Sequence, residues 1–441
     1  MATDWISNLP DDVLGKILSL VPTKLAASTA VLSKRWRNLL PLALLDSLDF
    51  DDSMLIYPDR DDGEEEEATI RERRRHLFSD FVDKTLALLS NSARIKRFSL
   101  NCEDEDDESR VNRWIRTALE RGCLDLNLAL ETDLPIDSEF FTSKALVKLS
   151  ISRGFYTGDS LPCGGVLFPA LKTLSLVSTS FDYTGFIHGC PALEELFMHE
   201  WRKHFSCPHV KRLTITYPFV YFCRKSRVSL KTPSLVYLDY AGFVARKYSV
   251  ALDSLVEARL DIRLYDPPRV PGTDEYYGDV TSLIQGMSNI QSLHLSSHSL
   301  EVFYHCCDSM PVLNKLLTLS IESDDEKGWQ AMPRLLKSSP NLQTLVIKGL
   351  THRFVYWGTC MLFVEEGVCS LSRCRVKVLE ISGYGGSLRE LKQLGNFLGK
   401  LECLETVRVG VDEEDNNKFL RDPLMALPRV SPKCKILILP L

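Results

Sequence analysis

The residues that could perform catalysis or bind a metal do not fall into the spacing that either chemistry requires. The densest group of potential metal ligands is His199, His204, Cys207 and His209, whose spacing fits no standard zinc site. The run Gly383-Tyr384-Gly385-Gly386 lacks the Lys-Ser/Thr of a phosphate-binding loop and is interpreted as a turn. No cysteine has a basic neighbour that favours a nucleophilic thiolate. The sequence therefore predicts no catalytic residues, no metal and no cofactor.

The composition is that of an ordinary soluble protein. Of the 441 residues, 44% are hydrophobic and 25% are charged, with a formal net charge of −6. This acidic balance argues against a general nucleic-acid binder, which needs a basic surface. No apolar run is long enough to span a membrane, and Met1–Trp5 lacks a secretory signal pattern, so we expect the cytoplasm or the nucleus. The 13 cysteines, an odd number without regular spacing, are expected to be free thiols in the core.

The apolar segment from Leu9 to Leu40 is predicted to form the first helices of the chain. The apolar positions of its first helical pattern are Val13, Leu14, Ile17, Leu18 and Val21. A second helix is expected after Pro22, with Thr23 as its cap, and the apolar surface continues through Trp36 to an interruption at Pro41. Two such short helices cannot bury this much apolar surface, so it either packs on the rest of the chain or binds another protein.

The order of these residues favours the second alternative. Three stretches resemble the F-box of plant F-box proteins: Leu9-Pro10-Asp11-Asp12-Val13-Leu14, Ile17-Leu18 and Val31-Leu32-Ser33-Lys34-Arg35-Trp36-Arg37. The resemblance implies a three-helix module within residues 1–50 that binds the Skp adaptor of a cullin–RING ubiquitin ligase. The residues expected at the adaptor are Leu9, Pro10, Ile17, Leu18, Leu32 and Trp36. Some of them must instead pack the core of the module, and the sequence does not sort the two groups.

Residues 51–92 are predicted to form an acidic linker followed by a helix. The run from Asp59 to Glu67 is dense in carboxylates and lacks apolar residues, which favours a solvated loop. The helix that follows has a plausible apolar stripe, consisting of Ile70, Phe78, Val82, Thr85 and Leu89.

A unit of the form L-x-x-L-x-L recurs through residues 93–373 and beyond. Copies begin at Ile95, Leu146, Leu171, Leu193, Val210, Leu235, Leu255, Ile290, Leu316, Leu342, Val376 and Leu404, with a degenerate copy at Leu124. Their spacing scatters around the roughly 20–29-residue period of leucine-rich repeats. Each unit predicts a short strand with one face in the core, so that in Leu174-Ser175-Leu176 the leucines point inward and the serine outward. Neighbouring strands would stack into a curved parallel sheet, unless the alternation is coincidental in an unrelated α/β domain.

The C-terminal region, residues 374–441, has a strand–helix–strand pattern. It resembles the FBD domain of plant F-box proteins, although the last repeats closed by a cap would look similar. The predicted fold is therefore α/β: a small all-helical F-box, an irregular right-handed leucine-rich-repeat solenoid and a strand–helix–strand cap.

The resemblances imply a non-catalytic subunit of an SCF-type cullin–RING E3 ligase. Its F-box would bind the Skp adaptor, and through it the cullin and RING subunits, while its repeats would bind an unknown target protein rather than a nucleic acid or a membrane. Two alternatives use the same adaptor contact, a non-degradative scaffold and a receptor for a small molecule in a polar pocket. A hydrolase or transferase is disfavoured, because no catalytic grouping is present.

Overall fold

A computed structural model defines the fold of the chain. It describes residues 6, 8–54, 67–89, 94–102, 107–130, 134–135, 137–152, 155–156, 165–177, 183–199, 204–216, 227–264, 278–322, 331–350, 374–411 and 418–440. These residues form two compact units, Met1–His199 and Glu200–Leu441, each containing a parallel sheet and helices. Most of the predicted acidic run lies outside the described residues, up to Glu67, where a helix begins.

The first unit opens with the three predicted helices. They are α1 (Asp11–Leu18), α2 (Thr23–Ser28) and α3 (Lys34–Asp46), with a 3-10 turn at Thr29–Val31. Two local expectations were wrong. Thr23 is the first residue of α2 and not its cap, because its hydroxyl instead accepts a hydrogen bond from the backbone N–H of Asp49 at 2.7 Å. Helix α3 continues through Pro41, since burial of Leu39 outweighs the local cost of one lost backbone hydrogen bond.

Parallel strands and three further helices complete the described part of the first unit. In chain order they are β1 (Ser47–Asp51), α4 (Glu67–Leu88), β2 (Arg97–Cys102), α5 (Glu108–Glu120), β3 (Asp125–Leu130), β4 (Leu134–Pro135), β5 (Lys148–Ser152), β6 (Phe155–Tyr156), β7 (Thr173–Val177), α6 (Tyr183–His188) and β8 (Glu195–His199). The main sheet of this unit has the order β1-β2-β3-β5-β7-β8, and β4 pairs separately with β6. The predicted helix stripe is confirmed for Phe78, Val82 and Thr85, which are buried along α4, and for Leu89, which is buried directly after the helix ends. The side chain of Ile70 lies outside the described residues.

The second unit repeats the strand pattern. Its elements are β9 (His204–Ser206), β10 (Arg212–Thr216), β11 (Arg227–Lys231), β12 (Tyr237–Phe243), β13 (Lys247–Ala251), β14 (Glu257–Arg263), α7 (Thr281–Gly286), β15 (Ser292–Leu295), α8 (Ser297–His305), β16 (Thr318–Glu322), α9 (Met332–Lys337), β17 (Thr344–Lys348), β18 (Val378–Ser382), α10 (Leu388–Leu398), β19 (Thr406–Val411), α11 (Lys418–Met425) and β20 (Lys435–Pro440). The main sheet has the order β10-β12-β14-β15-β16-β17-β18-β19-β20, and a second parallel sheet has the order β13-β11-β9.

The predicted leucine-rich repeats are confirmed, because every predicted copy leads into a strand of a main sheet. Leu174 and Leu176 are buried and Ser175 is partly exposed, as the alternation requires. The degenerate copy is shifted by one residue. Its buried anchor is Cys123 and not Leu124, since only that frame places Leu126 and the following leucines in the core. A cysteine fills this position as a small apolar side chain.

The C-terminal pattern is also present as strand, helix, strand, helix and strand, from β18 to β20. Helix α10 begins with a capping box, in which the Ser387 hydroxyl accepts from the backbone N–H of Glu390 at 3.3 Å. The Glu390 carboxylate accepts in return from the N–H of Ser387 at 2.7 Å and from that of Gly385 at 2.9 Å. Of the helices within the described ranges, none combines the length and the apolar character that crossing a membrane requires.

Candidate adaptor-docking and target-binding surfaces

The N-terminal helices separate the predicted adaptor residues into buried and exposed groups. Leu18 is only 4% exposed and forms a small core with Leu14, Ala26 and Leu39. Leu9, Trp36 and Leu40 pack against this core while remaining partly exposed. Helix α1 therefore directs one apolar stripe into the module, and of the six predicted residues Leu18 serves mainly to hold the helices together.

A second apolar stripe faces outward. Ile17 on α1 is 45% exposed and Leu32, between the 3-10 turn and α3, is 70% exposed, and Pro10 is also exposed. The other exposed apolar side chains of the module are Val13, Leu20, Val21, Leu25 and Val31. Val13 and Ile17 are four residues apart on one side of α1. A module of three helices that exposes this many large apolar side chains has the character of a binding surface.

Arg35 fixes the segment that precedes α1. Its guanidinium donates through Nε to Oδ1 of Asp11 at 2.8 Å and through Nη2 to the same oxygen at 2.7 Å. Nη2 also donates to the backbone carbonyl of Leu9. The start of α3 is thus tied to the start of α1 across the module, on both sides of Pro10.

The module is joined directly to the first repeat. Helix α3 ends at Asp46 and β1 begins at Ser47. The hydrogen bond from the Asp49 N–H to Thr23 ties β1 to α2, and Leu48 and Phe50 on the same strand are buried. The helices of the module and the first strand of the sheet therefore share one packed structure.

The sheet face of the first unit carries small polar residues at the outward positions of its strands. Ser99, Asn127, Ser150 and Ser175 follow one another in register on β2, β3, β5 and β7. The Asn127 side-chain amide donates to the Ser99 hydroxyl at 3.1 Å.

The corresponding face of the second unit is charged, and one part of it is organised around Asp261 on β14. The carboxylate of Asp261 accepts from the Ser296 hydroxyl at 2.7 Å and pairs with Arg263 at 2.9 Å, while His298 lies 3.6 Å away. Burial raises the pKa of Asp261, but the hydrogen bonds from Ser296 and Arg263 outweigh it and hold that pKa below its usual range.

A second part of this face joins three consecutive strands. Glu322 on β16 contacts both Nε2 of His294 on β15 and Nζ of Lys348 on β17, each at 3.0 Å. The His294 pKa lies below its ordinary value of 6.5 because burial, and then the nearby Lys348 ammonium, disfavour the imidazolium form. Burial raises the pKa of Glu322, but hydrogen bonds from Lys348 and His294 outweigh this effect, so the pKa lies below its usual value.

Arg259 lies between these two groups and is exposed. Its register neighbours are Asp239 on β12 and His294 on β15. Within the ranges that the structure describes, Arg259 forms no hydrogen bond or ion pair, and it influences Asp239 and His294 only through longer-range electrostatics. Burial raises the pKa of Asp239. The centre of this face therefore offers guanidinium donors that the described part of the protein does not use.

One cavity in the first unit is large enough for a small molecule. Its volume is about 320 Å³, and it lies beside α5. Its lining includes Asn112, Arg116, Asp137, Phe140, Ser143 and Lys144. The Arg116–Asp137 ion pair, at 2.9 Å, already occupies part of the polar lining.

The described residues contain no group of three His, Cys, Asp or Glu side chains placed to hold a metal ion. The cysteines that the structure describes are free thiols, and all but Cys403 are buried. Burial raises the pKa of both Cys123 and Cys306 to about 12. These thiols are therefore poor nucleophiles. The aromatic residues Tyr217, Phe219, Tyr221 and Phe222 and the tyrosines Tyr276 and Tyr277 lie outside the described ranges.

The charged face was missed in the sequence, although a signal was present. Arg259, Asp261, His294, Glu322 and Lys348 all occupy outward positions of recognised repeat strands. Reading the outward positions together with the inward ones would have shown that charged residues recur on neighbouring strands of the second unit.

The three-helix module and the parallel repeats that follow define an F-box protein with leucine-rich repeats. A sequence model of the F-box domain matches residues 6–41, and one described as "FBD-associated F-box protein At5g56370, LRR repeats" matches residues 111–244. F-box domains as a class bind Skp-type adaptors in SCF complexes.

The relatives of the chain are similar over almost its whole length. The F-box protein At4g27050 of Arabidopsis thaliana is 62% identical, with 99% of each chain covered. The F-box/LRR-repeat proteins At1g48400 and At5g35995 of the same plant are each 48% identical, with 98% of each chain covered. The chain belongs to the plant F-box/LRR-repeat family.

Proposed function

We propose that this protein is the substrate receptor of an SCF-type cullin–RING ubiquitin ligase. The outward stripe of its F-box binds the Skp-type adaptor, and the adaptor brings the cullin and RING subunits. The repeats hold a target protein, so the contribution of this chain is proximity and orientation and not bond chemistry. The observation that carries the proposal is the division of α1 into an inner stripe that closes the module and an outer stripe that remains exposed.

The adaptor contact is tested by charging the outer stripe. The double variant Ile17→Asp/Leu32→Asp places carboxylates at two exposed positions, so the chain should fold normally while adaptor affinity falls by at least a hundredfold, because burying an unpaired carboxylate is costly. Binding is measured by calorimetry with a purified Skp-type adaptor. The matched control is Val312→Asp, which charges an exposed apolar residue of the second unit. Adaptor binding equal to that of the control would refute the docking assignment.

The target-binding half of the proposal rests on the charged face of the second unit. Preformed hydrogen-bonded pairs surround Arg259, whose guanidinium has no protein partner in the described ranges. Such a surface favours a polar segment of a folded or extended partner, with Arg259 and Lys348 as the specificity contacts.

The Ile17→Asp/Leu32→Asp variant also provides a trap for targets, because a target bound to it cannot reach the ligase. Proteins retained by this variant in a plant extract are compared with those retained by the same variant carrying Arg259→Ala and Lys348→Ala. The variant that also carries Arg259→Ala and Lys348→Ala should no longer retain the target proteins. Ubiquitination of the retained proteins by the reconstituted wild-type complex then separates a degradative receptor from a scaffold. Retention that does not change would place target binding elsewhere.

A further inference from the structure

Strand β20 leaves one side of the second sheet unpaired within the described residues. Its neighbour in the sheet is β19, with Thr406 in register with Lys435, and the Lys435 N–H donates to the carbonyl of Glu405 at 3.0 Å. In a parallel ladder the backbone groups of alternate residues point to the same neighbour. Lys435, Leu437 and Leu439 therefore face β19, and Ile436 and Ile438 direct their N–H and C=O groups away from the sheet.

These outward groups have no partner in the part of the chain that the structure describes. The first unit differs, because the N–H of Asp49 on its edge strand β1 donates to the Thr23 hydroxyl of the F-box. An unpaired edge is a template for another strand, and proteins usually blunt it.

The side chains of β20 add an apolar component to this edge. Ile436 is buried, but Leu437 and Leu439 are 46% and 45% exposed and lie on the opposite face of the strand. Met425, at the end of α11, is also exposed, and α11 contacts β20. The edge is therefore bordered by exposed apolar side chains.

We propose that β20 is a self-association edge, at which a second copy of this chain adds its own β20 in antiparallel orientation. This inference is independent of the proposed ligase function. In a two-fold arrangement, Ile436 of one copy forms two backbone hydrogen bonds with Ile438 of the other copy. By symmetry, Ile438 of the first copy forms two with Ile436 of the second. Leu437 then lies opposite the Leu437 of the second copy.

The sequence of the strand is suited to this register. Lys435 lies opposite the Leu439 of the second copy, so the two lysine ammonium groups are not placed face to face. Pro440 lacks an N–H and limits the ladder to the two isoleucines. A pairing of this size is small beside the roughly 1,200–2,000 Å² buried in stable complexes, so the dimer is expected to be reversible and to depend on concentration.

The test is sedimentation velocity of the full chain over a wide range of concentrations, with two variants. Ile438→Pro removes one outward N–H without touching the ladder to β19, in a position where an edge strand tolerates proline. Leu437→Lys/Leu439→Lys places two charges on the exposed face. Both variants should remain folded and monomeric at concentrations where the wild type dimerises. Val312→Lys is the matched control, because Val312 is exposed on another part of the same unit, and it should dimerise normally.

A cysteine scan tests the register itself. Residues opposite each other at a non-hydrogen-bonded antiparallel position have Cα atoms about 4.5 Å apart, which a disulfide can span. In a Cys403→Ser background, used because Cys403 is exposed, Leu437→Cys should form a disulfide-linked dimer on oxidation and Leu439→Cys should not. A wild type that is monomeric throughout, dimerisation unaffected by both variants, open-ended assembly, or equal cross-linking at the two positions would each overturn the proposal.

Discussion

The guanidinium of Arg35 lies 2.7 Å from the Asp11 carboxylate and also donates to the carbonyl of Leu9. One side chain at the start of α3 thereby holds the start of α1 and the residues before it. Because both partners of the ion pair are substantially exposed, the pair adds at most about 1 kcal/mol to stability. Its main effect is to fix the backbone on both sides of the exposed Pro10, which directly precedes α1.

Replacing Arg35 by alanine should therefore affect binding more than stability. We expect adaptor affinity to fall about tenfold, which corresponds to roughly 1.4 kcal/mol, with little change in the melting temperature. Calorimetry with a Skp-type adaptor and thermal unfolding measure the two effects separately. Lys34→Ala changes an exposed cation next to Arg35 and serves as the control. A variant that binds as tightly as this control would show that the clamp has no role in docking.

Neighbouring residues on α1 should respond in opposite ways to truncation. Leu18→Ala removes a buried side chain from the module core and should lower the free energy of unfolding by about 2–5 kcal/mol. Ile17→Ala should change it by no more than about 0.5 kcal/mol, since Ile17 is exposed. The unfolding midpoint in urea distinguishes them. Equal destabilisation would mean that the assignment of the inner and outer stripes is wrong.

Mild acid should destabilise the second unit through His294. Its pKa in the folded protein is below the ordinary 6.5, so around that pH the unfolded chain takes up a proton that the folded chain does not. The contribution of His294 to stability is complete above pH 6.5 and declines as the pH falls through that value. His294→Gln should flatten this decline in unfolding experiments between about pH 7 and pH 5.5. A decline that persists in His294→Gln would exclude His294 as its source.

The stability of helix α10 should depend on the carboxylate of Glu390. Its carboxylate accepts from two backbone N–H groups and is 1% exposed, so Glu390→Ala leaves both donors without their partner. We expect a loss of about 1–3 kcal/mol in the free energy of unfolding, measured with denaturant. Glu390→Gln, which keeps one acceptor oxygen, should lose less. Arg389→Ala, at an exposed neighbour, should be close to neutral, and an equal effect at both positions would contradict the role of the cap.

Alkylation should distinguish the cysteines. In the native protein at pH 8 we expect iodoacetamide to modify the exposed Cys403 and to leave Cys306 unmodified, since burial raises the pKa of Cys306 to about 12. Mass spectrometry of tryptic peptides identifies the modified residues, and denatured protein serves as the control in which both react. Rapid native modification of Cys306 would show that its site opens.

The repeats could be predicted because their signal is local. In each copy a buried anchor precedes alternating apolar residues, and the anchor and the strand lie within a few residues of each other. The strands that were not predicted are those whose formation depends on packing against residues distant in the sequence. Strand β1 follows α3 without a turn residue, so its alternation around Leu48 and Phe50 gave no separate signal. The second sheet, of β9, β11 and β13, lies within segments that the repeat pattern leaves unspecified.

The site was predictable only in part, for a related reason. The residue types and spacing of the F-box located the docking module, but Ile17 and Leu18 are alike as sequence and differ only in what packs against them. The network around Glu322 joins His294 to Lys348 across three strands, so no short window of sequence contains it.

The direct passage from α3 into β1, reinforced by the bond between Thr23 and Asp49, leaves no hinge between the F-box and the first repeat. In the proposed ligase, the repeats of the first unit would then keep a fixed orientation toward the bound adaptor. The orientation of a bound target, and not the length of a flexible tether, would then determine which of its lysines can be modified. Glycines inserted between Asp46 and Ser47 should therefore scatter the sites of modification before they weaken either contact.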